Sequence, residues 1–460
     1  MRRYAKLVSL PVLLTAIACS GGSAGASGAR SQPVTPTASS TAAATTSAFT
    51  TWPTYGRTAG RSAHATRAVG RLRPGWKDSL DGAVYGEPLV VGSTVIVATE
   101  NDTVYGLNAR NGKHRWRRHL GTPAPLSSLP CGDIDPLGIT GTPAYDARTG
   151  SVFVVAETTG GHHTLWALSA KNGHRRWHRS MDVLKSRERQ AEQERSALLV
   201  ADGRIITTYG GLAGDCANYV GYVTSTATSG KGATRHYAVP TSREAGMWSP
   251  AGPVIGANGN VYVASGNGAE LNGKWDKSDS VTELTPTRLH RVAVFAPRTW
   301  PQDNQDDLDL GSSSPVPVNH RIVIAGKRGT VYLLKPSLGG VGSAIATATN
   351  CQAFGGAAVV GHTVLMPCKG QNAIRALKVG AHSLKWSWTA SGVYASPVIA
   401  GKKVYAADLN SGDLVVLGLS TGKVLQRLSA GSLPHFPSET VDGGRVFVGT
   451  LNGVTTFKAS

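Results

Sequence analysis

Between residues 86 and 460 the apolar positions come in short runs with a period of two, broken by Gly, Pro and Asn. That is the pattern of strands and turns rather than helices. The runs are not independent. "VYGLNARNGKHRW" at 104–116 returns as "LWALSAKNGHRRW" at 165–177, with a bulky apolar residue, a small one, Leu, a polar pair, Asn-Gly, basic residues and Trp in the same order. Unit starts line up at residues 86, 141, 196, 252, 314, 355, 396 and 438, giving eight units at spacings of 55, 55, 56, 62, 41, 41 and 42 residues. Inside a unit, a small residue and Pro open the first strand, and a turn leads to a β-branched second strand such as Val95-Ile96-Val97. A third strand follows, and Asn111-Gly112 supplies a type I′ hairpin to the fourth, which ends on Trp116.

Four short antiparallel strands repeated eight times predict an all-β chain folded as an eight-bladed β-propeller. The eighth unit reaches Ser460 with three strands, and "RLRPGWKDSLD" at 71–81 carries the missing fourth, with Trp76 in the tryptophan position. A ring closed by strands from both ends of the chain leaves no open sheet edge between first and last blade. Trp76, Trp116, Trp177 and Trp386 are then expected to dock each blade on its neighbour. In "LVVLGLSTGKVLQ" Gln426 stands where Trp would, so one docking contact is expected to be missing.

The first fifty residues have a different character. Arg2, Arg3 and Lys6 precede an apolar run from Leu7 to Ala18, too short to span a bilayer and suited to a signal peptide over 1–18. "AIACSGG" places Cys19 as a lipidation site, with Ala16 departing from the usual leucine. Residues 19–51, rich in Ser, Thr, Ala and Gly, read as a flexible tether, and 52–460 as one propeller domain. Loss of Arg2, Arg3 and Lys6 with the signal lowers the formal charge from +19 to +16. Such a surface attracts anionic lipids and wall polymers, and export argues against nucleic acid. Cys131, Cys216, Cys351 and Cys368 remain, an even number that suggests two disulfides in an exported chain. Sequence does not select among the three connectivities. Proximity favours Cys351–Cys368, which leaves Cys131–Cys216.

"LNARNGKHRW", "LSAKNGHRRW" and "LSTGKVL" resemble the repeat of pyrroloquinoline quinone (PQQ) dehydrogenases, over residues 52–460. The same repeat occurs in non-enzymatic propellers, including the lipoprotein subunit of the outer-membrane β-barrel assembly machinery. "CGDIDPLGITGTPAYD", "GGLAGDCANYVGY" and "MWSPAGPV" further resemble PQQ-like propeller lipoproteins of actinobacteria. The resemblance to the enzymes implies a cofactor on a tryptophan floor, a calcium ion held by an acid and an asparagine, and an aspartate base. On that reading Asn267 in "VASGNGAE" is a calcium ligand, although Gly268 replaces the family's proline. In "FAPRTWPQDNQDDLDLG", Asp306 with Asp309, or Asp303 with Asp306, fits the spacing of the base to its second aspartate; the assignment taken here is Asp306 as base and Asp306 and Asp309 as calcium ligands. Trp248 is a cofactor floor or, preferably, a channel plug. The family's adjacent-cysteine cap is missing.

Segment 184–197, "LKSRERQAEQERSA", reads as a short exposed helix between blades, and His162-His163 lacks companions for a metal site. The sequence therefore points to an exported, lipid-anchored, monomeric propeller. It acts as a non-catalytic binding or scaffold module for a protein or an anionic envelope polymer. The alternative is a PQQ- and calcium-dependent alcohol or polyol dehydrogenase.

Overall fold

The computed structural model describes residues 48–460, so the signal peptide read at 1–18, the lipidation site Cys19 and the tether up to residue 47 lie outside the described residues. Eight small sheets follow one another, each a four-stranded antiparallel blade with up to one added strand. In blade 1 the strands are Leu89–Val91, Thr94–Ala98, Thr103–Asn108 and His114–His119, running from the inside of the ring outward. Blade 8 combines Glu439–Asp442, Arg445–Thr450 and Gly453–Ala459 with Leu72–Ser79, so strands from the two ends of the propeller close the ring. Every blade has this up-and-down order. The turns joining strands 1–2 and 3–4 consequently share one face, and the 2–3 connections and inter-blade loops share the other, called here the mouth.

Indoles lock consecutive blades through one recurring contact. Trp76 of blade 8 donates to Ala109 O of blade 1 at 3.1 Å, Trp116 to Ala170 O of blade 2 at 3.2 Å, and Trp177 to Thr228 O of blade 3 at 3.2 Å. Each ring lies flat on the hairpin glycine of the next blade. A Cβ on Gly112 would come within 2.8 Å of Trp76, and its φ of 77° also suits glycine.

Blade 6 corrects the sequence reading. Its docking residue is Trp388, which donates to Leu419 O of blade 7 at 2.9 Å and covers Gly422. Trp386 turns to the preceding blade, donating to Thr349 O at 3.0 Å beneath the Arg375 guanidinium. The two blades share a β-bulge, between Gly106 and Leu107 and between Ala376 and Leu377, but the hairpin closed by the Leu377–Trp386 pair is two residues longer than that closed by Leu107–His114, so Trp388 takes the place of Trp116. Gln426 also keeps a docking contact. Its side chain accepts from Leu72 N at 3.1 Å and donates to Leu72 O at 2.6 Å, gripping the closing strand where no hairpin glycine exists.

The channel is plugged, but not by Trp248. Residues 51–65 visit the innermost strands of blades 1, 2, 4, 6 and 7 in turn, and the residue leading into that of blade 3. Thr51 and Trp52 pair with Val91 and Val90; Pro53 O accepts from Tyr145 N, and Thr54 Oγ1 donates to Leu198 O. Ala59 O accepts from Ile255 N and Ser62 O from Val359 N, after which His64–Ala65 pairs with Ile399–Ala400. At its centre Arg61 is buried, with guanidinium bonds to Tyr55 O, Leu198 O and Pro253 O. Ordered packing begins within the expected tether, since Phe49 lies against Phe447 and Thr50 N donates to Asp442.

Segment 184–197 holds no α-helix. It makes a 3-10 turn at Arg189–Ala191, and Glu192–Gln193 pairs with Gly211 and Gly210, burying Glu192 and Glu194. The charge alternation reflects a strand with carboxyls directed inward, not a solvated helix face. The disulfides are Cys131–Cys216, tying the loop before blade 2 to the 2–3 connection of blade 3, and Cys351–Cys368 beside the second strand of blade 6.

Candidate functional site: the mouth of the channel

Loops from blades 1 and 3 to 8 surround a cavity of about 690 Å³ at the mouth. Three residues singled out from sequence meet there: Trp248, Asn267 and Asp309. Asp309 is the pivot. One carboxylate oxygen accepts the Asn267 backbone N–H at 2.8 Å and the other accepts from Lys327 Nζ at 2.7 Å. Lys327 also reaches Asp307 at 2.7 Å and stands 5.8 Å over the Trp248 ring. A Cβ on Gly266 would overlap Asp309 at 2.0 Å, so only glycine lets this carboxylate in. Burial raises the Asp309 pKa, with the Lys327 charge opposing it.

Asp306 is not part of this arrangement. It is exposed at the end of the helix Trp300–Gln305, accepts from Gln302 at 2.7 Å, and does not line the mouth. The short helix turns it outward, so the spacing that paired it with Asp309 in sequence does not survive folding. Asp303 is buried and paired with Arg328. The Asn267 side-chain amide faces Glu244 at 3.5 Å.

Calcium fits this donor set poorly. Both Asp309 oxygens are engaged, Lys327 supplies the positive charge, and no group of three His, Cys, Asp or Glu among the described residues is arranged to hold a metal ion.

The rest of the rim was not found from sequence. Arg195, Lys369, Phe354 and Phe436 complete it, with Lys369 Nζ 5.0 Å and the Arg195 guanidinium 5.5 Å from the Phe436 ring. Burial pulls the Arg195 and Lys369 pKa values down. His435 Nδ1 lies 3.2 Å from Asp133, joining the loop before blade 8 to the one before blade 2. One signal was available. Asn267, Lys327 and Lys369 each follow the second strand of their blade by one or two residues, so repeat register alone places them at the mouth.

Deeper in blades 1–3 lie Glu100, Asp102, Glu157, Glu192 and Glu194, all buried. Burial raises every one, Glu100 to about 8 and Asp102 to about 9. His163, also buried, sits 3.2 Å from Glu157 and 3.6 Å from Asp182. Burial alone would lower its pKa; the Glu157 and Asp182 carboxylates overcome this and hold it near 10. The histidine pair therefore serves an acid cluster rather than a metal.

Residues 55–280 match the PQQ-like family model described as outer membrane protein assembly factor BamB. No curated protein matches. Among solved structures, a quinohemoprotein alcohol dehydrogenase from Pseudomonas putida HK5 is similar at 16% identity and TM-score 0.69, covering 89% of this chain and 80% of that one. The enzyme from Comamonas testosteroni gives 17%, 0.67, 89% and 80%. BamB from Moraxella catarrhalis gives 16% and 0.60, covering 85% of this chain and 100% of that one. At such identities the likeness establishes the fold. The repeat, the eight closed blades and the likeness to these structures agree: the chain is an eight-bladed β-propeller, and its residues 55–280 match the PQQ-like repeat family.

Proposed function

We propose that the protein is an extracytoplasmic, lipid-anchored binding module whose mouth receives a segment of a protein partner. The observation that carries this reading is the Asp309–Lys327 pair. The carboxylate placed where a base or cation ligand would be needed is already committed to a lysine and a backbone N–H. Around it, Arg195, Lys327 and Lys369 stand beside Trp248, Phe354 and Phe436, a combination suited to acidic and aromatic side chains. Rigid sheets presenting long loops on one face favour the same role.

A second reading has one specific support: Trp248, Asn267, Asp309 and Lys327 share one mouth. A PQQ-dependent dehydrogenase would use such cations and the indole to seat an aromatic carboxylate. Calorimetric titration of the full chain with PQQ, with and without calcium, separates the two. The binding reading expects no heat in either condition. Micromolar, calcium-dependent binding that Asp309→Asn weakens at least tenfold would replace it with the dehydrogenase reading.

A further inference from the structure

Charge is divided between the two faces of the propeller, and the division coincides with the place where the chain enters the fold. The turns joining strands 1–2 and 3–4 form the face opposite the mouth. Exposed cations stand on them around most of the ring, among them Arg110 and Lys113 in blade 1, Lys171 in blade 2, Arg288 in blade 4, and Lys402 and Lys423 in blade 7. These turns carry a single exposed acid, Asp202; Asp146 is buried beside Arg148, and Asp442, at the end of a strand, is half-buried and bonded to Thr50. Lys113, Lys171, Lys402 and Lys423 make no salt bridge among the described residues. The mouth face is mixed by contrast, with Asp303, Asp307 and Asp309 answering Arg328 and Lys327.

Two further observations bear on what covers this face. Next to its turns are exposed apolar side chains, Val292 at 54%, Val424 at 48% and Leu425 at 56% exposure, the last two immediately after Lys423. Cations beside a few apolar side chains match a bilayer surface, where headgroup charge and the edge of the acyl layer are both within reach. Moreover, the chain enters the propeller on this face: Phe49 packs on Gly443 and Phe447, and Thr50 bonds Asp442, at the 1–2 turn of blade 8.

We infer that this face docks on an anionic phospholipid bilayer and holds the mouth pointing away from it. The inference rests on the lipid-anchored reading for its direction, but the contact itself needs no acyl chain. A wall polymer shares the anionic chemistry but offers nothing to Val424 and Leu425, so the bilayer is the assigned partner.

The test uses the full chain carrying Cys19→Ser, which removes the expected acylation site, floated with vesicles of phosphatidylglycerol and phosphatidylcholine or of phosphatidylcholine alone. Binding is expected to the anionic vesicles only, and to fall steeply with added salt. Lys113→Glu with Lys423→Glu should reduce it at least about tenfold, while Lys185→Glu with Lys274→Glu, exposed on the mouth side, should leave it within about twofold. A circular-dichroism melt of each variant separates lost binding from lost folding. Equal binding to neutral vesicles, equal loss from both pairs of reversals, or binding to soluble polyphosphate but not to vesicles would each overturn the inference. None of these outcomes depends on PQQ, so this failure and that of the proposed function are read separately.

Discussion

Blades 1–4 and blades 5–8 use the same four-stranded unit, yet they have become different materials. The first four repeat at 55 to 62 residues and the others at 41 or 42. The surplus goes almost entirely to 2–3 connections and inter-blade loops, which all rise on the mouth face. It carries Arg195, Trp248, Asn267 and Asp309, and the acids Glu192 and Glu194 go with it. The lean half holds most of the largest apolar cluster, which runs through blades 6, 7, 8 and 1 and includes Tyr405, Phe447 and Phe457, and gives the mouth Lys327, Phe354, Lys369 and Phe436 from short loops. A closed ring tolerates long insertions on one face because each blade is held by its own strand pairs and, in blades 1, 2, 6 and 8, also by an indole on the next blade. Stability and chemistry can then be drawn from different parts of one repeat.

The largest expected effect tests the lean half. Trp388→Ala should cost about 3–5 kcal/mol of unfolding free energy, because the ring is lost from the blade 6–7 seam. Trp386→Ala, on the outer side under Arg375, should cost about 1 kcal/mol. Chemical denaturation of both variants decides, and the reverse order would return the docking role to Trp386. Next come the disulfides. Cys351→Ser with Cys368→Ser removes a fully buried link and should cost about 2–4 kcal/mol. Cys131→Ser with Cys216→Ser, in half-buried mouth loops, should instead leave the denaturation midpoint almost unchanged and speed proteolysis between residues 122 and 137. A large midpoint shift would mean the insertions share the core's stability.

The smallest effect is the pH response, and it belongs to the first half. Folded-state pKa values of Glu100, Asp102, Glu157, Glu192 and Glu194 lie above their ordinary values because burial disfavours the charged form. The folded state thus holds more protons than the unfolded chain between about pH 4.5 and 9, and stability falls as pH rises through that window. His163, held near 10, acts in the same direction. Melting temperature should be highest near pH 5 and a few degrees lower at pH 9, with Glu100→Gln flattening the decline. A melting temperature that rises over this range would show these carboxyls ionised and paired.

Strand periodicity, the Asn-Gly hairpins and the short eighth unit made the blades, their number and the closing strand legible before any coordinates. Each signal is local and fixes a partner a few residues away or one repeat along, except that the short eighth unit leaves a gap that only a strand from the other end can fill. The mouth was legible only in part. Asn267, Asp309 and Trp248 could be marked one at a time, but Lys327 lies in another blade and pairs with Asp309 across a seam. Asp306 failed because one helical turn reoriented it. Trp386 failed because the hairpin of blade 6 is two residues longer than that of blade 1, so Trp388 rather than Trp386 stands opposite the residue that Trp116 faces in blade 1. The plug failed for a related reason: "TWPTYGRTAGRSAHA" has no repeat, and its partners are spread along the chain from Val90 to Ala400.

By itself, then, the sequence determined what recurs: the strand, the hairpin, the indole and the count of blades, since burial alternation and turn chemistry act within a few residues. Only the tertiary structure decided what converges. Closing the ring brings single residues from distant loops into one cavity, draws residues 51–65 through the axis, and gathers cations on the face where the chain enters. Such placements depend on geometry around a closed circle, which no local pattern encodes.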